Sequence, residues 1–127
     1  MYKLSNRSLN YLQGVDAVLI EIIKEAIKDS PYDFGIPSTG GFRTAEIQNE
    51  LYKKGVSNCD GYKKKSYHQS GRAFDIYAYI DGKASWDEEI MTVIARYIQH
   101  VASIKFNIKL TWGGDWKNFK DYPHYQY

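Results

Sequence analysis

Where its histidines fall limits how this chain can fold. It has three, and two of them lie near an acid: His68 is followed by Asp75, and Asp121 by His124. If these four residues act together, the end of the chain must come back to its middle. Two imidazoles and one carboxylate make a three-ligand zinc site with an open fourth position, as catalytic zinc requires. His68, Asp75 and His124 are the candidate ligands, and a zinc so held would acidify bound water and polarise a carbonyl. That leaves one carboxylate over, and a zinc hydrolase also needs a general base. The spacing is not the contiguous helical His-Glu-x-x-His, and a chance set of two histidines and an aspartate occurs in many chains of this size. The third histidine, His100, sits in a predicted helix with no acid in register and reads as structural.

At 127 residues the chain is long enough for one real core but not two, so 1–127 is expected to form a single domain. A composition of 43% hydrophobic and 25% charged residues is ordinary for a globular protein. The net charge of +2 lacks the basic footprint of a dedicated nucleic-acid binder. No apolar run approaches the length of a membrane span, and the N-terminus lacks a signal-peptide pattern. The chain is therefore expected to be made in the cytoplasm, without membrane insertion, and to act as a monomer. Cys59 is the only cysteine, which excludes an internal disulfide. Asp60 beside it would raise rather than lower its pKa, so Cys59 is a poor nucleophile. The twelve tyrosines could stack on sugars or peptides, or fill the edge of a small core.

Helical spacing of Val15, Val18, Leu19, Ile22, Ile23, Ala26 and Ile27 predicts a helix over 16–28, after a short helical turn at 6–13. Tyr32 to Ile36 reads as a short strand. Thr44 is a plausible N-cap for a helix through about Lys54, stopped by Gly55. Residues 56–66 form a polar loop whose Lys63-Lys64-Lys65 run is either solvated or attracted to an anionic polymer. Ala73 to Ile80 alternates as one half-buried strand ending at Asp81-Gly82, with Asp75 facing away from Phe74 and Ile76. Ser85 through Glu88 reads as a capping box opening a second long helix that Asn107 ends, and Ile108 to Trp112 as another strand. Helices and strands without βαβ alternation indicate an α+β fold, an antiparallel sheet flanked by helices. Gly71 permits a tight turn between His68 and Asp75. Ser66 and Asp115 are expected in turns or as hydrogen-bond partners of ligand imidazoles. No nucleophile elbow surrounds Ser66, which argues against a serine hydrolase. With His124 so near the end of the chain, coordination itself is expected to anchor the tail, with Tyr125 or Tyr127 packing beside it.

Three segments occur here in one order: Gly41-Phe42-Arg43-Thr44 with Gln48; Ser66-x-His68-x-x-Gly71-x-Ala73-x-Asp75; and Trp112-Gly113-Gly114-Asp115-Trp116 through Asp121-x-x-His124. Together they resemble the zinc D-Ala-D-Ala carboxypeptidase-like peptidases, nearest the phage endolysins that act as L-alanyl-D-glutamate endopeptidases. The resemblance spans nearly the whole chain and implies the Hedgehog/DD-peptidase-like fold. It implies zinc on His68, Asp75 and His124, Asp121 as general base and acid, and Arg43 stabilising the oxyanion. Arg43 could instead simply pair with a carboxylate. The glycine-rich lead-in Ser38-Thr39-Gly40-Gly41 departs from the family pattern. The implied substrate is the bacterial peptidoglycan stem peptide, with no nucleic acid as partner and no separate wall-binding domain. An endolysin of this kind would wait in the host cytoplasm until the inner membrane is permeabilised. Two alternatives stand beside it, a D-Ala-D-Ala dipeptidase or carboxypeptidase and a non-catalytic peptidoglycan-binding module.

Overall fold

The structure is a computed structural model that describes residues 1–127. Its helices are α1 (Asn6–Tyr11), α2 (Ala17–Asp29), α3 (Ala45–Lys53) and α4 (Glu88–Phe106). Its strands are β1 (Asp33–Gly35), β2 (Ala73–Asp75), β3 (Tyr77–Ile80), β4 (Lys83–Ser85), β5 (Thr111–Trp112) and β6 (His124–Gln126). No helix is long and apolar enough to cross a membrane.

The predicted helices fall within a residue or two of the observed ones, because each carries its own local signals. In α2 the apolar stripe Leu19, Ile22, Ile23, Ala26 and Ile27 is fully buried. It packs against the buried face of α4, which presents Met91, Ile94, Ala95, Ile98 and Ala102. Each large side chain buried there is worth roughly 1.5–3 kcal/mol, so this helix pair is a main source of stability. Thr44 caps α3 by accepting from Ile47 N. Asn107 closes α4 in the left-handed conformation.

Four expectations differ from the structure. The predicted strand over 73–80 is two strands, because its partners change at Ile76. Up to Asp75 it pairs with β6, whereas from Tyr77 it pairs with β1 and β4. Side-chain alternation survives the break, and Phe74, Ile76 and Ala78 are all buried. The predicted single sheet is therefore two three-stranded antiparallel sheets, ordered β1-β3-β4 and β2-β6-β5. Ser85 does not cap α4, because the β4 ladder holds it opposite Ala78. Asp87 caps instead, accepting from Ile90 N at 3.0 Å. The predicted strand at 108–112 shrinks to Thr111–Trp112, the two residues that pair with Gln126 and Tyr125 of β6.

The tail forms β6, the central strand of the second sheet, which the sequence reading did not predict as a strand. Tyr125 is fully buried and stacks on Phe74 with ring centroids 4.8 Å apart. Tyr127 N donates to Arg72 O, and its hydroxyl donates to Asp16. Sheet pairing holds the tail together with the expected packing of Tyr125 and Tyr127.

Candidate functional site

The second sheet meets the topological demand set by the histidines. Asp75 on β2 and His124 on β6 are directly opposed in the antiparallel register, which brings their Cβ atoms to within about 4.5–5.5 Å. His68 arrives from a 3-10 turn, Tyr67–Ser70. Ser66 starts that turn: its Oγ accepts from His68 N, and its own N–H donates to Gln69 Oε1. Gly71 ends the turn in the left-handed conformation, φ 74°, where a Cβ would stand 2.6 Å from Gly14 O. Only glycine suits both demands there.

His68 Nε2, His124 Nδ1 and Asp75 Oδ1 form a nearly equilateral triangle. The two imidazole nitrogens are 3.2 Å apart, His124 Nδ1 is 3.2 Å from Asp75 Oδ1, and His68 Nε2 is 3.3 Å from it. The opposite ring nitrogens are both engaged. His68 Nδ1 lies 2.8 Å from Gly41 O, and His124 Nε2 lies 2.7 Å from Gln126 Oε1. A carbonyl can only accept, so each outer nitrogen carries a hydrogen; in its neutral form each ring then turns a lone pair inward, and a protonated ring donates to Asp75 instead. Together the three residues make a group able to hold a metal ion.

The glycine-rich lead-in is part of this scaffold. Gly40 O accepts from Asp75 N at 2.8 Å, Gly41 O orients His68, and Arg43 N donates to His68 O. Arg43 is buried; its Nη2 donates to Asp75 Oδ2 at 3.1 Å, its Nη1 to Gln48 Oε1 and its Nε to Thr39 O. Arginine pairs with a carboxylate, as the plainer sequence reading allowed, and that carboxylate belongs to the triad. Gln48, fully buried, passes the connection on by donating to Ser57 Oγ and Cys59 O.

Charge follows from this geometry. Burial opposes ionisation of Asp75, but hydrogen bonds with His124 and His68 outweigh it and hold the carboxyl well below its usual range. Burial likewise opposes the His124 imidazolium, yet Asp75 tips that ring towards protonation. Asp121 moves the other way: burial in the cleft wall, then the Asp75 charge, raise its carboxyl above the ordinary value. Asp121 is exposed and is one of the residues that line the cleft. Its backbone is fixed, with Asp121 N donating to Gly113 O and Asp121 O accepting from His124 N. That last bond closes a turn that sets Asp121 and His124 at one mouth.

The four candidate acids and histidines and Arg43 all line one cleft of about 890 Å³. His100 is exposed on α4 and takes no part. Asp115 lies in the 3-10 turn Gly113–Asp115 and pairs with Arg96, not with a ligand imidazole. Trp116, the end of the Trp112–Trp116 motif, has its ring centroid 5.3 Å from that of His124, and one residue escaped the sequence reading, Gln126, which orients His124. The signal for Gln126 was there, since residues two apart on a strand share a face. Using it required knowing that 124–126 is a strand.

Fold and site define a small α+β domain built around a buried, cleft-facing His–Asp–His triad able to hold a metal. The chain belongs to the phage L-alanyl-D-glutamate peptidase family, whose model matches residues 1–126, and it is a peptidase. It is 37% identical over 133 residues to the peptidoglycan L-alanyl-D-glutamate endopeptidase CwlK of Bacillus subtilis, covering 92% of this chain and 79% of that one. It is 31% identical over 122 residues to the L-alanyl-D-glutamate peptidase of Escherichia phage T5, covering 95% and 86% respectively. The crystal structure of the Serratia marcescens L-Ala D-Glu endopeptidase ChiX superposes with a TM-score of 0.84 at 31% identity, covering 98% of this chain and 89% of that one.

Proposed function

We propose that this chain is a zinc-dependent peptidoglycan endopeptidase that hydrolyses the L-Ala–D-Glu bond of the stem peptide. In this reading His68, Asp75 and His124 hold the zinc, Asp121 is general base and acid, and Arg43 serves both Asp75 and the oxyanion. The donor triangle carries the proposal. Its sides of 3.2, 3.2 and 3.3 Å match the edge of a tetrahedron, about 3.3–3.4 Å for zinc–ligand bonds of roughly 2.0–2.1 Å. The nitrogen–nitrogen–carboxylate donor set also suits zinc, and three protein ligands would leave a fourth position open.

When bound, zinc supplies Lewis acidity to the scissile carbonyl and makes water more acidic. The protein's residues do the rest. Asp121, its carboxyl raised above the ordinary value by burial, takes the proton from the attacking water on a carboxylate oxygen and hands it to the leaving amine nitrogen. Arg43 spends three of its five N–H donors on Thr39, Gln48 and Asp75, leaving two for negative charge developing on the carbonyl oxygen. Its hold on Asp75 Oδ2 leaves Oδ1 turned towards the histidines.

Mass spectrometry of purified peptidoglycan after digestion tests the assignment, with new N-terminal D-Glu as the expected product. New N-terminal D-Ala would instead move the chain to the dipeptidase or carboxypeptidase class, and an undigested wall would leave a binding module. Elemental analysis is expected to find one zinc per chain. The proposal extends to where the enzyme acts: it is made in the host cytoplasm and reaches the wall once the inner membrane is breached. Cells expressing it should lyse only after permeabilisation.

A further inference from the structure

Residues 55–59 line the same cleft as the triad, yet none of them has a part in the chemistry described above. This wall contains no helix or strand, so its shape must be held from outside. The holder is α3. Gln48 Nε2 donates to Ser57 Oγ at 2.8 Å and to Cys59 O at 2.9 Å, and Asn49 Nδ2 donates to Asp60 O at 2.9 Å. Gly61, at φ 90°, then approaches α3 so closely that a Cβ there would stand 2.8 Å from Ala45 O.

Of these two amides, only Gln48 also reaches the catalytic side. Its Oε1 accepts from Arg43 Nη1 at 3.1 Å, while Arg43 donates to Asp75 through Nη2 and to Thr39 through Nε. Gln48 is fully buried, and these contacts use its acceptor and both of its N–H donors. A flipped amide would set N–H against N–H at Arg43 and oxygen against oxygen at Cys59, so one orientation is fixed. Gln48 and Asp75 thus take one hydrogen from each terminal nitrogen of Arg43. They thereby select the two N–H groups left for the oxyanion. Such donors act only from a fixed place, and small misplacements are costly.

We infer that Gln48 is a positioning residue that sets the Arg43 guanidinium and the cleft wall 57–59 as one unit. This inference rests on the endopeptidase reading above, and its test keeps the two apart. Asn49 is the control, since it ties the same wall without a hydrogen bond to Arg43. Two readouts need no turnover. One is NMR exchange of the Arg43 Nε–H; the other is the iodoacetamide alkylation rate of Cys59, the only thiol of the chain and part of the wall. In Gln48→Met both should quicken severalfold, whereas in Asn49→Ala only the alkylation should. With the zinc-loaded full chain and a synthetic stem peptide, Gln48→Met should lower kcat about tenfold, as a misplaced catalytic group does, and raise KM. Asn49→Ala should raise KM and keep kcat. Gln48→Glu retains an acceptor for Arg43 and loses the donors to the wall, so it should recover kcat but not KM. Thermal unfolding and zinc content check each fold. If Gln48→Met does not fold, Gln48→Glu decides: loss of kcat with KM kept would overturn the inference. Unchanged Arg43 exchange in a folded Gln48→Met would overturn it too, as would an equal loss of kcat in Asn49→Ala. An unaltered chain that leaves the stem peptide intact, with both readouts still quickened by Gln48→Met, would sink the endopeptidase reading alone.

Discussion

The two sheets have the same number of strands and share one continuous run of chain, 73–80, yet they do different work. Sheet β1-β3-β4 contains a local hairpin: β3 and β4 are joined by Asp81 and Gly82, both at positive φ, as a tight turn of matching twist requires. It supplies no triad ligand. Sheet β2-β6-β5 joins segments far apart in the chain, and its central strand comes from the last few residues. It supplies Asp75 and His124 as cross-strand partners. Long-range pairing costs loop-closure entropy, and local pairing largely escapes that cost. The site therefore stands where the chain has been hardest to assemble, and where a shift in register would separate its ligands.

Changes at the triad should have the largest effect. His124→Ala should abolish metal binding and turnover together, while His100→Ala should change neither, as read by metal analysis and peptide hydrolysis. Removing the metal should also lower the melting temperature, since free metal a hundredfold above its dissociation constant adds about 2.7 kcal/mol to the folded state. Asp121→Asn comes next. It should cost about 10²–10⁴ in rate, the usual worth of general acid–base help, while zinc and fold persist. A parallel loss of zinc would make Asp121 a ligand or scaffold.

Two glycines compare the sheets directly. Gly82 has φ 79° with open space around it, so Gly82→Ala should cost only the left-handed strain, about 1–2 kcal/mol. Metal affinity should be untouched. Gly71 has nearly the same φ but backbone 2.6 Å from the new Cβ, between two ligands. Gly71→Ala should be clearly more destabilising in denaturant titrations and should weaken metal binding as well. Equal effects from the two would remove the distinction between the sheets.

The smallest effect concerns the loop before His68. Asp60 Oδ1 accepts from the backbone N–H groups of Tyr62, Lys63 and Lys64. These bonds, that of Lys64 first, hold its carboxyl below the ordinary value. A carboxyl depressed in the folded state contributes stability that is full above its unfolded pKa and is lost as pH falls through the folded one. Acidification below the usual carboxylate range should therefore increase hydrogen exchange at residues 62–64, and Asp60→Asn should show less of this dependence.

The sequence by itself determined the helices, the β3–β4 turn and the identity of the metal-site candidates. Helix stripes, the Thr44 cap, the Asn107 stop and the Asp81-Gly82 turn act over a few residues, so their physics is visible in a short window. The grouping of His68, Asp75, Asp121 and His124 was legible because the segments around them, Gly41–Thr44, Ser66–Asp75 and Trp112–His124, occur in one order; two histidines with nearby acids would not have sufficed alone. Tertiary structure decided the rest. It broke the 73–80 strand at Ile76, because only the partners on either side differ. It took Ser85 from the helix cap into a ladder, and it turned the tail from a segment awaiting metal into a central strand with Tyr125 buried beneath it. It also gave Arg43 to Asp75 and Gln126 to His124. Each of these outcomes depends on a partner distant in sequence, whose hydrogen bonds and packing outweigh the local preference.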